Sequence, residues 1–223
     1  MSTDARFPAL RGALRAALGL AAFTLAFTAL MAFTHYVTRD RIEAAAEAQQ
    51  MRLIDDILPR DQYDNALLKD VVTAAPPANI KRIWRARRGG APVGLVFETF
   101  ANDGYGGRIE LVASLGADGK LGGVRVAAHK ETPGLGDYID PARDPDKTRP
   151  WIEQFIGVDA DLPPAQWAVK KDGGAFEHRA GATVSARAVT RALGQGSAWI
   201  AARREAIFAA PADSNIGADA QEE

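Results

Sequence analysis

Between Arg15 and Arg39 the chain runs for 23 residues, AALGLAAFTLAFTALMAFTHYVT, without Asp, Glu, Lys or Arg. A helix of that length spans about 34 Å, enough to cross a hydrocarbon layer of about 30 Å. Thr24, Thr28 and Thr34 do not forbid burial in lipid, because a helical threonine can return its hydroxyl to a carbonyl one turn back. His35 and Tyr36 stand at the outer end, where amphipathic rings suit the interface. A cleaved signal peptide has a shorter apolar region and a small-residue cleavage site, whereas Arg39-Asp40-Arg41 follows here with no A-x-A. A buried soluble helix is rarely apolar on every side over such a length. The reading is an uncleaved anchor over residues 16–38, with the lipid bilayer as its surroundings. Orientation is less constrained, since Arg6, Arg11 and Arg15 precede the segment and Arg39, Arg41 and Arg52 follow it. The short arginine-bearing N-terminus favours the cytoplasm for residues 1–15 and the opposite side for the remainder.

Charge and cysteine usage remove several function classes. The 223 residues carry 27 basic and 28 acidic side chains, a net charge of −1, which argues against bulk electrostatic binding to nucleic acid. With no cysteine, disulfides, thiolate metal sites, cysteine-ligated iron–sulfur clusters and cysteine nucleophiles are excluded. His35, His129 and His178 form no recognisable triad, which argues against a hydrolase.

Residues 39–79 read as a helical connector. Ile42, Ala45, Ala46, Leu53 and Ile57 recur at three- and four-residue spacing, Pro59 stops the pattern, and residues 73–79, TAAPPAN, make a break. Strand patterns follow over 80–88, 92–100, 108–114 and 121–128, the last two separated by the turn composition Gly116-Ala-Asp-Gly119. Trp151, Ile152, Phe155 and Ile156 lie at helical spacing. A final helix begins at Thr183 and runs to about Ala209, with Val189, Leu193, Ile200 and Ile207 as its stripe; Gly194 and Gly196 permit close packing or a kink. The fold class is α+β: an antiparallel sheet with packed helices over residues 80–210, carried on one N-terminal helix. The Ala-, Asp- and Glu-rich tail 211–223 is expected to be disordered.

Two segments carry possible chemistry. His129-Lys130-Glu131-Thr132-Pro133-Gly134-Leu135-Gly136-Asp137 follows a strand, and its Pro and two Gly allow the backbone to approach a ligand closely. Taken alone it is equally a tight connection, and the G-x-G-x-x-G dinucleotide pattern is absent. In Ala180-Gly181-Ala182-Thr183-Val184-Ser185, small residues lead into the final helix. Free N–H groups and the positive end of the helix dipole there favour an anion such as phosphate. Thr183 is also simply a good N-cap residue.

The two segments in this order, after one anchor, resemble the G subunit of the Rnf-type electron transport complex, and more broadly the FMN-binding domain shared with the C subunit of sodium-pumping NADH:quinone reductase. The residues that carry the likeness are Glu131-Thr132-Pro133-Gly134-Leu135-Gly136 and Gly181-Ala182-Thr183-x-Ser185, with Ile57-Leu58-Pro59 and Tyr63-Asp64-Asn65 upstream. It covers roughly residues 10–210. The resemblance implies an electron-transferring subunit of an ion-translocating complex linked to ferredoxin and NAD, in a bacterial inner membrane with the FMN domain periplasmic. It implies FMN joined covalently by a phosphoester to Thr183, and hence a flavin-attaching transferase during maturation and other redox subunits as partners. Gly181, Ala182, Val184 and Ser185 would surround the phosphate, the loop 131–136 would pack along the flavin, and Lys130 or Lys170 would stabilise its reduced, anionic ring. Ala180 and Glu177 depart from the family, which usually has Ser or Thr and Asp at these places. The C subunit of the sodium pump, and a membrane-anchored assembly or sensor module without cofactor, remain the alternatives.

Overall fold

The computed structural model describes residues 6–217 except Pro77, with side chains from Gly12 onward. The first five and last six residues, and the expectations that fall on them, lie outside the described residues. The first element, α1 (Arg6–Asp55), is a single 50-residue helix. It is long and apolar enough to cross a membrane by length and composition. Its apolar side chains, including Leu20, Phe23, Leu30 and Phe33, are exposed on every side. The hydroxyls of Thr24, Thr34 and Thr38 donate to the carbonyls of Leu20, Leu30 and Thr34 at 2.9, 2.9 and 2.8 Å. Among the described residues Thr28, expected to do the same, makes no such bond.

From Met51 onward the chain forms one compact unit. Its strands are β1 (Val71–Ala74), β2 (Ile80–Arg88), β3 (Ala91–Gly104), β4 (Gly107–Gly116), β5 (Leu121–Ala128) and β6 (Asn215–Ile216), in the order β5-β4-β3-β2-β1-β6. Neighbours are antiparallel except β1 and β6, which run parallel. The four expected strands are thus the middle and one edge of a six-stranded mixed sheet. The two helices that follow the meander are α2 (Thr183–Ala202) and α3 (Arg204–Ala209).

Side chains alternate between the faces of the sheet. Ile83, Leu95, Phe97, Leu111 and Ala113 face the larger core, where Val189, Leu193 and Ile200 of α2 pack with Trp151, Ile152, Phe155 and Trp167. Trp84, Val96 and Val112 face a second core made with Ile54, Ile57, Leu58 and Leu67. Both faces are covered, which explains the nearly unbroken apolar runs of β3 and β4. Ser114 Oγ donates to the Ile57 carbonyl at 2.7 Å, and a Cβ on Gly123 would stand 3.0 Å from the Ile57 side chain.

Three expectations need correction. Residues 39–79 are not a helical connector throughout: the helix ends at Asp55, and the remainder includes two 3₁₀ turns and β1. Of the expected stripe, Ile57 just past α1 is buried and Leu53 partly so, with Ile54 buried beside them, whereas Ile42, Ala45 and Ala46 are exposed. The tail is ordered as far as Gly217. Thr73 and Ala75 N–H groups, on the otherwise open edge of β1, donate to Ser214 and Ile216 carbonyls at 2.9 and 3.0 Å, and Ile216 enters the core. A sequence rich in Ala and Asp conceals this, because one apolar side chain and a few backbone bonds suffice to dock it.

The stripe on the final helix holds, with a break at Arg203 between α2 and α3. Gly194 serves close packing rather than a kink: a Cβ there would meet Trp167 Cδ2 at 2.6 Å and Cβ at 2.7 Å. Gly194→Ala is therefore expected to lower stability by about 1–3 kcal/mol despite alanine's better helix propensity. Thermal unfolding followed by circular dichroism checks this; an unchanged or raised midpoint would mean that the indole moves aside freely.

Candidate functional site

The entrance to α2 is built from small residues for a conformational reason. Gly181 has φ +82°, a left-handed conformation that side chains rarely adopt. Ala182 follows as the cap residue, with φ −133° and no side-chain cap bond, so Thr183 is the first residue of the helix rather than its N-cap. The Ala182 N–H donates to the Arg179 carbonyl at 3.2 Å, and the Tyr138 hydroxyl donates to the Ala182 carbonyl at 3.2 Å. Among the described residues nothing accepts from the N–H groups of Thr183, Val184 and Ser185, and nothing pairs with the Thr183 hydroxyl. Thr183 retains 9% of its surface and Val184 41%. The tether residue proposed from sequence is thus unpaired and close to the surface, at the positive end of a 20-residue helix.

The loop after β5 meets this entrance. Glu131 is only 4% exposed. One carboxylate oxygen accepts a bond from the Ser185 hydroxyl, and the other accepts from the Gly106 N–H at 2.9 Å. The Glu131 N–H donates to His129 Nδ1 at 3.1 Å. Gly136 is buried beneath them, and a Cβ there would meet the Glu131 carboxylate at 2.6 Å. Gly134 donates to Asp137 at 2.9 Å and Leu135 to the Thr132 carbonyl at 3.1 Å, which fold the loop back on itself. Thr132, Pro133, Gly134 and Leu135 remain exposed.

The two sequence segments are therefore one site, held by Glu131 and Ser185. The Ser185 hydroxyl, expected to face a phosphate, is instead bonded to Glu131; only its N–H remains for an anion. Lys170 is exposed and pairs with Glu177. Lys130 is exposed beside Glu131.

Sequence reasoning did not find Gly106, Tyr138, Asp144 or Arg179. Tyr138 is buried and accepts the Arg179 N–H at 3.2 Å while donating to Ala182. Burial raises its hydroxyl above the ordinary phenol range, opposed by the bond from Arg179 and by that residue's charge, so the hydroxyl keeps its proton and its bond at neutral pH. Asp144 is fully buried; it accepts from the Trp151 N–H at 2.6 Å and pairs with the Arg179 guanidinium. These residues fix the strand of chain that delivers Thr183. Their only sequence signals were an Asp seven residues before a Trp and a Tyr two residues past the loop glycines, patterns that many chains share. A cavity of about 670 Å³ lies against Trp151, Gln154, His178 and Arg179, just before the tether segment.

Unpaired helix N–H groups, a free hydroxyl and a bulk-free approach at 180–182 fit the phosphate of a nucleotide such as FMN. Comparison with known proteins places the molecule in that class: residues 104–196 match the FMN-binding domain family, and residues 6–57 match the family described as RnfG N-terminal region. The chain is 39% identical over 197 residues to the G subunit of the ion-translocating oxidoreductase complex of Pseudoalteromonas atlantica, covering 86% of this chain and 89% of that one. It is 40% identical over 205 residues to the protein of the same name from Pseudomonas aeruginosa, covering 89% and 94%. The Yersinia pestis counterpart is 38% identical over 192 residues, covering 83% and 89%. The chain belongs to the family of G subunits of ion-translocating oxidoreductase complexes.

Proposed function

We propose that Thr183 carries FMN through a phosphoester and that this protein relays electrons within its complex, between partners that react with ferredoxin and with NAD. The observation that carries this reading is an unpaired threonine hydroxyl on the first residue of a helix whose first three N–H groups lack acceptors. When bound, the flavin supplies one- and two-electron redox chemistry. Thr183 supplies the covalent handle, installed by a flavin-attaching transferase. The N–H groups of Val184 and Ser185 hold the remaining negative charge of the phosphodiester. Gly181 and Ala182 leave room for the phosphate, and Glu131 fixes the loop 132–136 against the entrance. Lys130, which stands beside that loop, is the better placed of the two lysines to favour an anionic flavin, since Lys170 is paired with Glu177. Electron relay requires no general acid or base. The uncharged segment 16–38 contains no carboxylate, so the ion path belongs to partner subunits.

Protein purified from native membranes and then denatured should keep flavin fluorescence on the unfolded chain; colour that washes away would contradict attachment. The domain is assigned to the periplasmic face of a bacterial inner membrane. Protease added to spheroplasts should degrade residues beyond the anchor, while the same protease outside inverted vesicles should leave them intact. The opposite pattern would reverse the orientation.

A further inference from the structure

The turn between β3 and β4 is pressed against the site by glycines. A Cβ on Gly104 would stand 2.7 Å from the Glu131 carboxylate, and one on Gly106 would collide with the Lys130 carbonyl. Only Gly107, with φ +102°, is glycine for conformational reasons. Gly106 is therefore small because the hairpin tip lies against residues 130–131, Gly104 because a Cβ there would be crowded both by Glu131 and by the Gly107 carbonyl of its own hairpin at 2.5 Å, and the Gly106 N–H bond to Glu131 fastens the tip there. Between them stands Tyr105, 72% exposed. Among the described residues its ring makes no aromatic contact and its hydroxyl no hydrogen bond. Nothing in the turn geometry calls for an aromatic at that position.

The same carboxylate that holds the hairpin also holds Ser185, two residues from Thr183. Tyr105 is thus one residue from a group joined through a single side chain to the first turn of α2. The ribityl chain of FMN is longer than that one carboxylate bridge. The geometry points to Tyr105 as the residue that covers the flavin ring of an FMN held at Thr183, with Glu131 as the positioning residue that sets the hairpin beside it. An aromatic face packs on a flat heteroaromatic ring by offset stacking, and a phenol in such contact quenches flavin fluorescence by donating an electron to the excited ring. This rests on the reading of Thr183 as the tether.

The test uses the full-length chain, co-produced with its flavin-attaching transferase, as wild type, Tyr105→Leu and Tyr105→Trp. Mass spectrometry of the Thr183 peptide reports loading, and fluorescence per bound flavin reports contact. The expectation is equal loading, fluorescence several-fold higher in Tyr105→Leu, and quenching preserved in Tyr105→Trp. Guanidinium should erase the difference between the variants. Equal fluorescence in loaded wild type and loaded Tyr105→Leu would overturn the assignment of Tyr105 while leaving the tether intact. An unloaded wild-type Thr183 would overturn both.

Discussion

Replacing Thr183 with valine is expected to remove all flavin that survives denaturation while leaving the domain folded. Valine exchanges the hydroxyl for a methyl group of similar size, and the two residues have similar helix propensity. The hydroxyl has no partner among the described residues, so its loss leaves no buried group unsatisfied. Stability should change by less than about 1 kcal/mol, while covalent flavin falls below detection. Serine at this position keeps an acceptor oxygen and tests whether the attaching enzyme also requires the methyl group. Covalent flavin retained on Thr183→Val would place the acceptor elsewhere. A collapsed fold would show that Thr183 has a structural role that its lack of partners does not suggest.

A second large effect is expected far from the site, at Arg85. This side chain is only 3% exposed in β2, yet it carries a charge. Its guanidinium donates to Asp70 at 2.7 Å, to the Ile207 carbonyl at 3.0 Å and to the Ala210 carbonyl. Arg87 adds a 3.0 Å contact to Asp70 and a 2.8 Å bond to the Phe208 carbonyl. Two arginines from one strand thus bind the carbonyls at the C-terminal end of α3, where the helix dipole favours positive charge. Just beyond, the chain turns into β6. Arg85→Met preserves much of the apolar stem but takes the guanidinium from the Ile207 and Ala210 carbonyls and leaves Asp70 with Arg87 as its one ion-pair partner among the described residues. Removing one partner of a buried pair costs about 3–5 kcal/mol, which lowers the melting temperature by roughly 10 °C in a domain of this size. Thermal unfolding of the detergent-solubilised protein measures it, and limited proteolysis should show the 210–217 segment released first. A melting point within a degree or two of wild type would show that Arg87 alone suffices.

The legibility of this fold in its sequence follows from which forces leave a local trace. The 23-residue uncharged run and the apolar stripe of α2 are strong periodic signals, and both became helices. The meander was readable because β2 to β5 join through short turns. β1 and β6 were not: each has only a few residues, β1 adds to β2 across the Pro/Ala break, and β6 forms because Thr73 and Ala75 offer backbone partners some 140 residues away. No local pattern encodes such pairing. The aromatic core around Trp151 was legible as apolar spacing, but Ile156 at its end is half exposed because the helical segment is only a five-residue 3₁₀ turn.

The site divides in the same way. Both of its segments stood out through glycines and small residues, which encode backbone geometry locally. The Glu131–Ser185 bond and the Gly106 contact join residues 25 to 54 positions apart, and the sequence offered no spacing rule for them. Ser185 shows the consequence. The resemblance to the family placed Ser185 around a bound phosphate, but the fold brings a carboxylate to its hydroxyl first.

The most direct test of the central claim is mass spectrometry of the tryptic peptide spanning residues 180–187, AGATVSAR, taken from native membranes. The account predicts a peptide heavier by FMN less one water, with fragment ions placing the added mass on Thr183 and leaving Ser185 bare. A peptide of unmodified mass as the dominant species, from cells that make the attaching enzyme, would contradict it.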